Sequence, residues 1–250
     1  MDIFQNALDL LIPNCCLICG KKIAISKICL ACSPETEVLK KFCYRCHTPL
    51  FTNQQCCEMC KLFPPVFRIM RYVWEYHQPN AAEYIGCMKY APSLNLCKLA
   101  GKILSDSLDI LFPVQDWDLI VPIPGSKQSI NRRLFNQCIV MAKQITRSHL
   151  CLQKKLNLYA LKHCGYKEVQ ASLSHQERLR NVKGVFKGDP GQVEGKIILL
   201  IEDVVTTGAT SNHACLELLR CGAEQVDVLT LSRSEIWNEF RGKFISELFI

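Results

Sequence analysis

No stretch of the 250-residue chain stays apolar over the roughly 20 residues that a membrane-spanning helix requires. Stable membrane insertion of that kind is therefore excluded. The first residues lack the basic start and the small-residue cleavage pattern of a secretory signal, so a cytoplasmic location is expected. Charged residues make up only 21% against 49% hydrophobic ones, a balance that excludes disorder and low-complexity architectures. Two local absences say more. Between Leu119 and Lys167 there are nine Lys or Arg and no Asp or Glu. Between Cys60 and Cys87 there is no cysteine, although the chain holds 17.

The acid-free segment belongs to a chain whose formal net charge is +7. Cations without interspersed acids favour a polyanionic partner: a pyrophosphate, a phosphosugar or a nucleic-acid backbone. The competing reading is a solvated helix face whose acidic neighbours come from elsewhere in the fold.

Ten of the cysteines lie between Cys15 and Cys60, and eight of them form Cys-x-x-Cys pairs: Cys16/Cys19, Cys29/Cys32, Cys43/Cys46 and Cys57/Cys60. Two residues between thiolates let one tight turn present both sulfurs to a tetrahedral ion, and two such turns close a four-cysteine site. Four pairs at near-regular spacing imply two structural zinc ions. A disulfide scaffold needs an oxidising compartment, and a redox pair would not recur four times. The first pair is expected to join the second and the third the fourth, with interleaved pairing left open. Cys15, Cys56 and His47 are spare and available as substitutes, although a histidine beside a complete pair is usually a surface residue.

Residues 1–13 carry the spacing of a short amphipathic helix, and Pro64-Pro65 marks a linker. Beyond it, strand-like and helix-like stretches alternate. Strands are expected at Phe67 to Tyr76, Asp118 to Pro124, Lys196 to Ile201 and Gln225 to Leu231. Helices are expected at Leu94 to Phe112, Asn136 to Ser148 and Thr210 to Cys221, the last ending at Gly222. This alternation reads as an α/β domain with a parallel sheet flanked by helices. The expected division is 1–63 for the helix and double ribbon, 66–233 for the α/β domain and 234–250 for a tail.

The most informative segment runs from Ile197 to Thr210. A buried strand delivers Glu202 and Asp203 at its carboxyl end, where open α/β sheets bind ligands. The turn Thr206-Thr207-Gly208-Ala209-Thr210 then opens a helix. Small residues let backbone N–H groups approach a phosphate, and the helix terminus favours negative charge. Carboxylates beside such a cradle make sense when the ligand also offers hydroxyls, as a sugar phosphate does.

This segment closely resembles the phosphoribosyl-pyrophosphate (PRPP) motif of type I phosphoribosyltransferases. The resemblance implies that Glu202 and Asp203 hold the ribose hydroxyls, and that Thr206, Thr207, Gly208, Ala209 and Thr210 hold the 5′-phosphate. The 6-oxopurine enzymes of that family have Asp where this chain has Thr206, which argues against that subclass. Val121-Pro122-Ile123-Pro124, followed by Arg132-Arg133-Leu134-Phe135-Asn136-Gln137, resembles the pyrophosphate-side region of the ComF competence family. Lys89-Tyr90 and Gln170-Ala171-Ser172-Leu173 with Arg178, Asn181 and Phe186 resemble further signatures. With the double ribbon, the resemblance spans Cys15 to Arg233. One departure is Leu134, where the family usually has glycine.

The ComF resemblance implies a double zinc ribbon joined to a type I phosphoribosyltransferase-like domain that binds PRPP with magnesium. It places Arg132, Arg133 and Arg178 in catalytic roles at the leaving pyrophosphate, with Lys127 as a further candidate. It also implies handling of imported single-stranded DNA during natural competence, with competence-machinery proteins as possible partners. Tyr44, Phe51 and Phe63 are candidates for base stacking, or else for the ribbon's own core. Two readings stay beside it: a phosphoribosyltransferase with an unidentified small-molecule acceptor, and a regulator that senses PRPP without turnover.

Overall fold

The computed structural model describes residues 15–23, 27–34, 41–62, 64–90, 93–114, 116–164, 185–206 and 208–234. The expected helix over residues 1–13, the tail beyond Ser234, and Phe63, Lys167, Gln170 to Leu173, Arg178, Asn181 and Thr207 lie outside them.

The main sheet has four parallel strands in the order β1-β6-β5-β2. These are β1 (Met70–Glu75), β2 (Leu119–Pro122), β5 (Ile197–Val205) and β6 (Gln225–Arg233). A separate antiparallel pair is formed by β3 (Leu161–His163) and β4 (Phe186–Gly188). In β5, Ile198, Leu199, Leu200 and Ile201 are all fully buried, so both faces of the sheet are covered. A strand buried on two sides needs a continuous aliphatic run, which this segment supplies.

The helices are α1 (Ala81–Tyr90), α2 (Leu94–Leu111), α3 (Lys127–Arg133), α4 (Gln137–Ser148) and α5 (Ala209–Arg220). Helix α2 starts at Ser93, whose hydroxyl accepts from the Leu96 N–H at 3.3 Å. It buries Leu96, Ala100, Gly101, Leu104 and Leu108, a stripe at helical spacing. At Gly101 an added Cβ would stand 2.8 Å from the Met141 backbone, so the missing side chain is what lets α2 approach α4 so closely.

The expected strands and long helices are all present, with one change that matters. Strand β5 does not stop at Ile201 but runs through the acid pair to Val205, because Val204 and Val205 still pair with Ser232 and Arg233 of β6. The two carboxylates are thus held by sheet hydrogen bonding rather than by a loop.

The cysteine segments form two knuckles of the same design. Cys16 N–H donates to Lys21 O at 2.8 Å and Gly20 N–H to Cys16 O at 2.9 Å. In the second, Cys43 N–H donates to Thr48 O at 2.8 Å and His47 N–H to Cys43 O at 2.9 Å. Gly20 and His47 occupy equivalent places, both at positive φ (73° and 61°). The expectation of a surface histidine fails here. His47 is buried, with its ring edge-on to Phe42 and Tyr72 at 4.3 and 4.9 Å between centroids.

The second knuckle is not a detached appendage. Cys43, Cys46, Cys57 and Cys60 belong to the same continuous apolar core as the sheet. Met70 N–H donates to Arg45 O, Arg71 Nη1 to Tyr44 O at 2.8 Å and Tyr72 Oη to His47 O at 3.0 Å. Pro64-Pro65 thus separates segments of sequence while the core runs across it.

Candidate functional site

A cavity of about 430 Å³ opens at the carboxyl ends of β2 and β5. Glu202, Asp203, Thr206, Ala209 and Thr210 line it, together with Lys89, Arg133 and the Pro124-Gly125-Ser126 turn after β2. The sequence-expected acid pair and phosphate turn are therefore brought to one space, and the turn after β2 faces them. Helix α5 begins at the cavity behind Gly208, whose φ of 73° puts the backbone in the left-handed region that glycine adopts without strain.

The two acids differ in environment. Glu202 is buried, and its Oε2 accepts from the hydroxyl of Ser211 in the first turn of α5. Burial raises its carboxyl from the ordinary 4.5 to about 8; the Ser211 hydrogen bond and Lys89 pull the other way, while Asp203 adds to the rise. Asp203 is half-buried, and its Oδ1 accepts from the Val204 N–H at 2.8 Å. One acid is held proton-ready beneath the cavity and the other meets it from the next position of the strand.

The opposite wall is built by caps. Asn136 starts α4 by accepting from Cys138 N–H at 2.8 Å, while its Nδ2 donates to Ile123 O at 2.9 Å, tying the end of β2 to the helix. Ser126 caps α3 through the Ser129 N–H at 3.1 Å. Arg133 lines the cavity, and Nη1 donates to Gln137 Oε1 at 2.8 Å. Leu134, at the place usually held by glycine, has φ 67° and is 86% exposed, so its side chain points to solvent and lines no part of the cavity.

Arg132 and Lys127 are exposed and are not among the lining residues. Of the nine cations between Leu119 and Lys167, Lys155 alone meets a carboxylate among the described residues, at 2.6 Å from Asp116. Lys127, Arg132, Lys143, Arg147, Lys154 and Lys162 are exposed without such a partner there. Among the described residues, the solvated-face reading, which needs acids supplied by the fold, thus finds its acid at Lys155.

Cavity residues that sequence reasoning missed are Cys138, His163, Ser126, Ser129 and His213, and behind the lining Ser211, which holds Glu202. Ser126 was readable as a helix N-cap, a place that serine favours. Ser211 acts one residue past the Thr210 turn, and His163 arrives on the β3–β4 pair, whose strands are too short to stand out in sequence. Tyr44 and Phe51 are 49% and 99% exposed, so they are not ribbon core.

The cysteines gather as Cys16, Cys19, Cys29 and Cys32, and as Cys43, Cys46, Cys57 and Cys60, each set with all sulfurs within 4.8 Å of one another. The pairing is sequential, and Cys15 and Cys56 stand outside both sets. Zn–S bonds of about 2.3 Å in a tetrahedron put sulfurs about 3.8 Å apart. The separations Cys19–Cys29, Cys43–Cys60 and Cys46–Cys57 are 3.7, 3.6 and 3.7 Å. Thr48 adds a chemical argument. Its Oγ1 takes a hydrogen bond from Arg233 Nη1 at 2.6 Å and lies 3.0 Å from Cys46 Sγ. The hydroxyl keeps its hydrogen while it accepts from the guanidinium, and that hydrogen suits a sulfur that accepts, as a metal-bound thiolate does. Both sets fit a zinc ion.

A parallel α/β sheet with an acid pair and a helix start at its carboxyl edge, preceded by two four-cysteine clusters, defines a phosphoribosyltransferase-like domain carrying a double ribbon. Over most of its length the chain is similar to ComF and YhgH proteins. It is 28% identical over 232 residues to the DNA utilization protein YhgH of Escherichia coli, covering 90% of this chain and 99% of that one. It is 28% identical over 241 residues to competence protein ComFC of Bacillus subtilis, covering 93% and 90%. Competence protein F of Haemophilus influenzae is 24% identical over 226 residues, covering 88% and 96%. No family model matches. Among solved structures, an adenine phosphoribosyltransferase overlaps 62% of this chain and 78% of its own at 13% identity, with a TM-score of 0.40, too low to carry weight. Among the described residues no helix is long and apolar enough to cross a membrane.

Proposed function

We propose that the cavity binds PRPP with magnesium, and that the protein handles single-stranded DNA entering the cell during natural competence. The observation that carries the first part is the meeting of three features in one cavity: the Glu202/Asp203 pair, the start of α5, and the cations Lys89 and Arg133. Carboxylates accept from ribose hydroxyls, the helix start receives a phosphate, and fixed cations receive further phosphate charge. Magnesium, when bound with the ligand, would supply positive charge to the pyrophosphate, and the carboxylate oxygens of Glu202 and Asp203 are hard donors that suit a ligand bringing that ion with it. Zinc in both clusters is structural in this reading, since four thiolates close the ion to substrate.

The DNA part is supported by the names of the relatives and by the six exposed cations that meet no carboxylate among the described residues. In the test, PRPP with magnesium raises the melting temperature of the parent, and Glu202→Ala with Asp203→Ala abolishes that rise. An unchanged shift in the double variant places the ligand elsewhere. For DNA, affinity for an unstructured oligonucleotide should fall with salt, at a slope of about 0.7 per phosphate contacted. A flat salt response removes the DNA part.

A further inference from the structure

Gln137 is a buried polar residue of the cavity wall. It is only 3% exposed, yet both ends of its amide are engaged. Its Oε1 accepts from Arg133 Nη1 at 2.8 Å, and its Nε2 donates to Met88 O at 3.0 Å. Met88 precedes Lys89, which lines the same cavity as Arg133. The carbonyl at the end of α1 and the guanidinium at the end of α3 are thus joined through one side chain at the start of α4.

The guanidinium shows what this arrangement leaves available. Gln137 engages Nη1 and leaves Nη2 for a ligand. Arg133 Nε is buried and has no hydrogen-bond partner among the described residues. A guanidinium at the cavity wall donates a charge-assisted hydrogen bond to a phosphate oxygen. An arginine held in place beforehand also gives up little rotamer freedom when an anion arrives.

We infer that Gln137 is a positioning residue that sets Arg133 and Lys89 as a paired cation wall for a diphosphate group. This rests on the phosphosugar reading of the cavity. The amide is chemically specific for the task. Glutamate would still accept from Arg133, but it would cancel the charge meant for the ligand and would have no donor for Met88 O. Leucine would hold neither partner.

The test uses the full zinc-loaded chain and two probes, inorganic pyrophosphate with magnesium and ribose 5-phosphate, measured by calorimetry. Gln137→Leu and Gln137→Glu should each weaken pyrophosphate binding about tenfold, the equivalent of one charge-assisted hydrogen bond, and change ribose 5-phosphate binding by less than about twofold. The near-isosteric Gln137→Glu variant guards against a packing defect at the leucine. Equal losses for both probes would mean that the residue only supports the fold, and unchanged pyrophosphate binding in both variants would overturn the inference directly. A parent chain that binds neither probe would bring down the phosphosugar reading, and this inference with it.

Discussion

Replacing Glu202 by glutamine should stabilise the protein in alkaline solution while abolishing its response to PRPP. In the unfolded chain the carboxyl titrates at its ordinary 4.5; in the folded chain burial holds it at about 8. Below 4.5 both states are protonated and the group contributes no difference. Between 4.5 and 8 the folded state binds more protons than the unfolded state, so stability falls as pH rises. Above 8 both are ionised and the loss is complete. At about 1.4 kcal/mol per pKa unit the ceiling is on the order of 5 kcal/mol, and water entering the cavity lowers it. A neutral amide escapes the loss, and its oxygen still accepts from Ser211. The variant should therefore match the parent near pH 5 and exceed it by about 2 kcal/mol or more at pH 8.5. For a chain of this size that is a rise of about 4–8 °C in melting temperature. Thermal melts from pH 5 to 9, with and without PRPP and magnesium, measure both effects. In the parent, PRPP affinity should rise through pH 8 as the carboxylate forms. A stability difference that stays constant across this range would refute the buried-acid reasoning.

Leu134→Gly should stabilise the chain by about 1 kcal/mol, because a left-handed backbone costs a residue with a Cβ about 1–2 kcal/mol and the exposed side chain gives up little packing; a lower melting temperature would contradict this. Arg233→Ala removes a buried guanidinium that donates to Glu75 Oε1 at 3.0 Å and to Thr48, leaving the Glu75 carboxylate with the neutral Tyr72 hydroxyl but without its cation. Urea unfolding should show a loss of about 3–5 kcal/mol, and one well below that range would mean that Glu75 is relieved by solvent. Elemental analysis should find two zinc ions per chain, and stripping the second should destabilise the α/β sheet as well as the ribbon, since its four cysteines share the sheet's core. A ribbon that melts alone, with the sheet transition unmoved, would show that the shared core is not cooperative.

What the sequence determined by itself is whatever rests on short-range pattern. Two-residue spacing between thiols dictates which sulfurs can share a turn, so the four pairs were legible in advance, while their sequential grouping into two sets was an expectation that the fold decided. A continuous aliphatic run bounded by Gly195 and an acid pair has few other solutions than a central parallel strand, and Gly208 could be read as the turn that starts a helix. What only the tertiary structure decided depends on distant packing. The extension of β5 through Glu202 and Asp203 comes from pairing with β6, some thirty residues on, which nothing local in the acid pair reveals. The upward shift of the Glu202 carboxyl comes from its burial, with a smaller push from Asp203, against the opposing pull of Ser211 on the next helix. The division of labour between Arg132 and Arg133 follows from helical rotation and from Gln137, which turns one guanidinium to the cavity and leaves its neighbour in solvent. His47 resembled a surface residue until Tyr72 and Phe42 were brought against it. Spacing along a chain sets which groups can meet within a turn, whereas burial, and with it charge state, depends on what the rest of the chain packs around them.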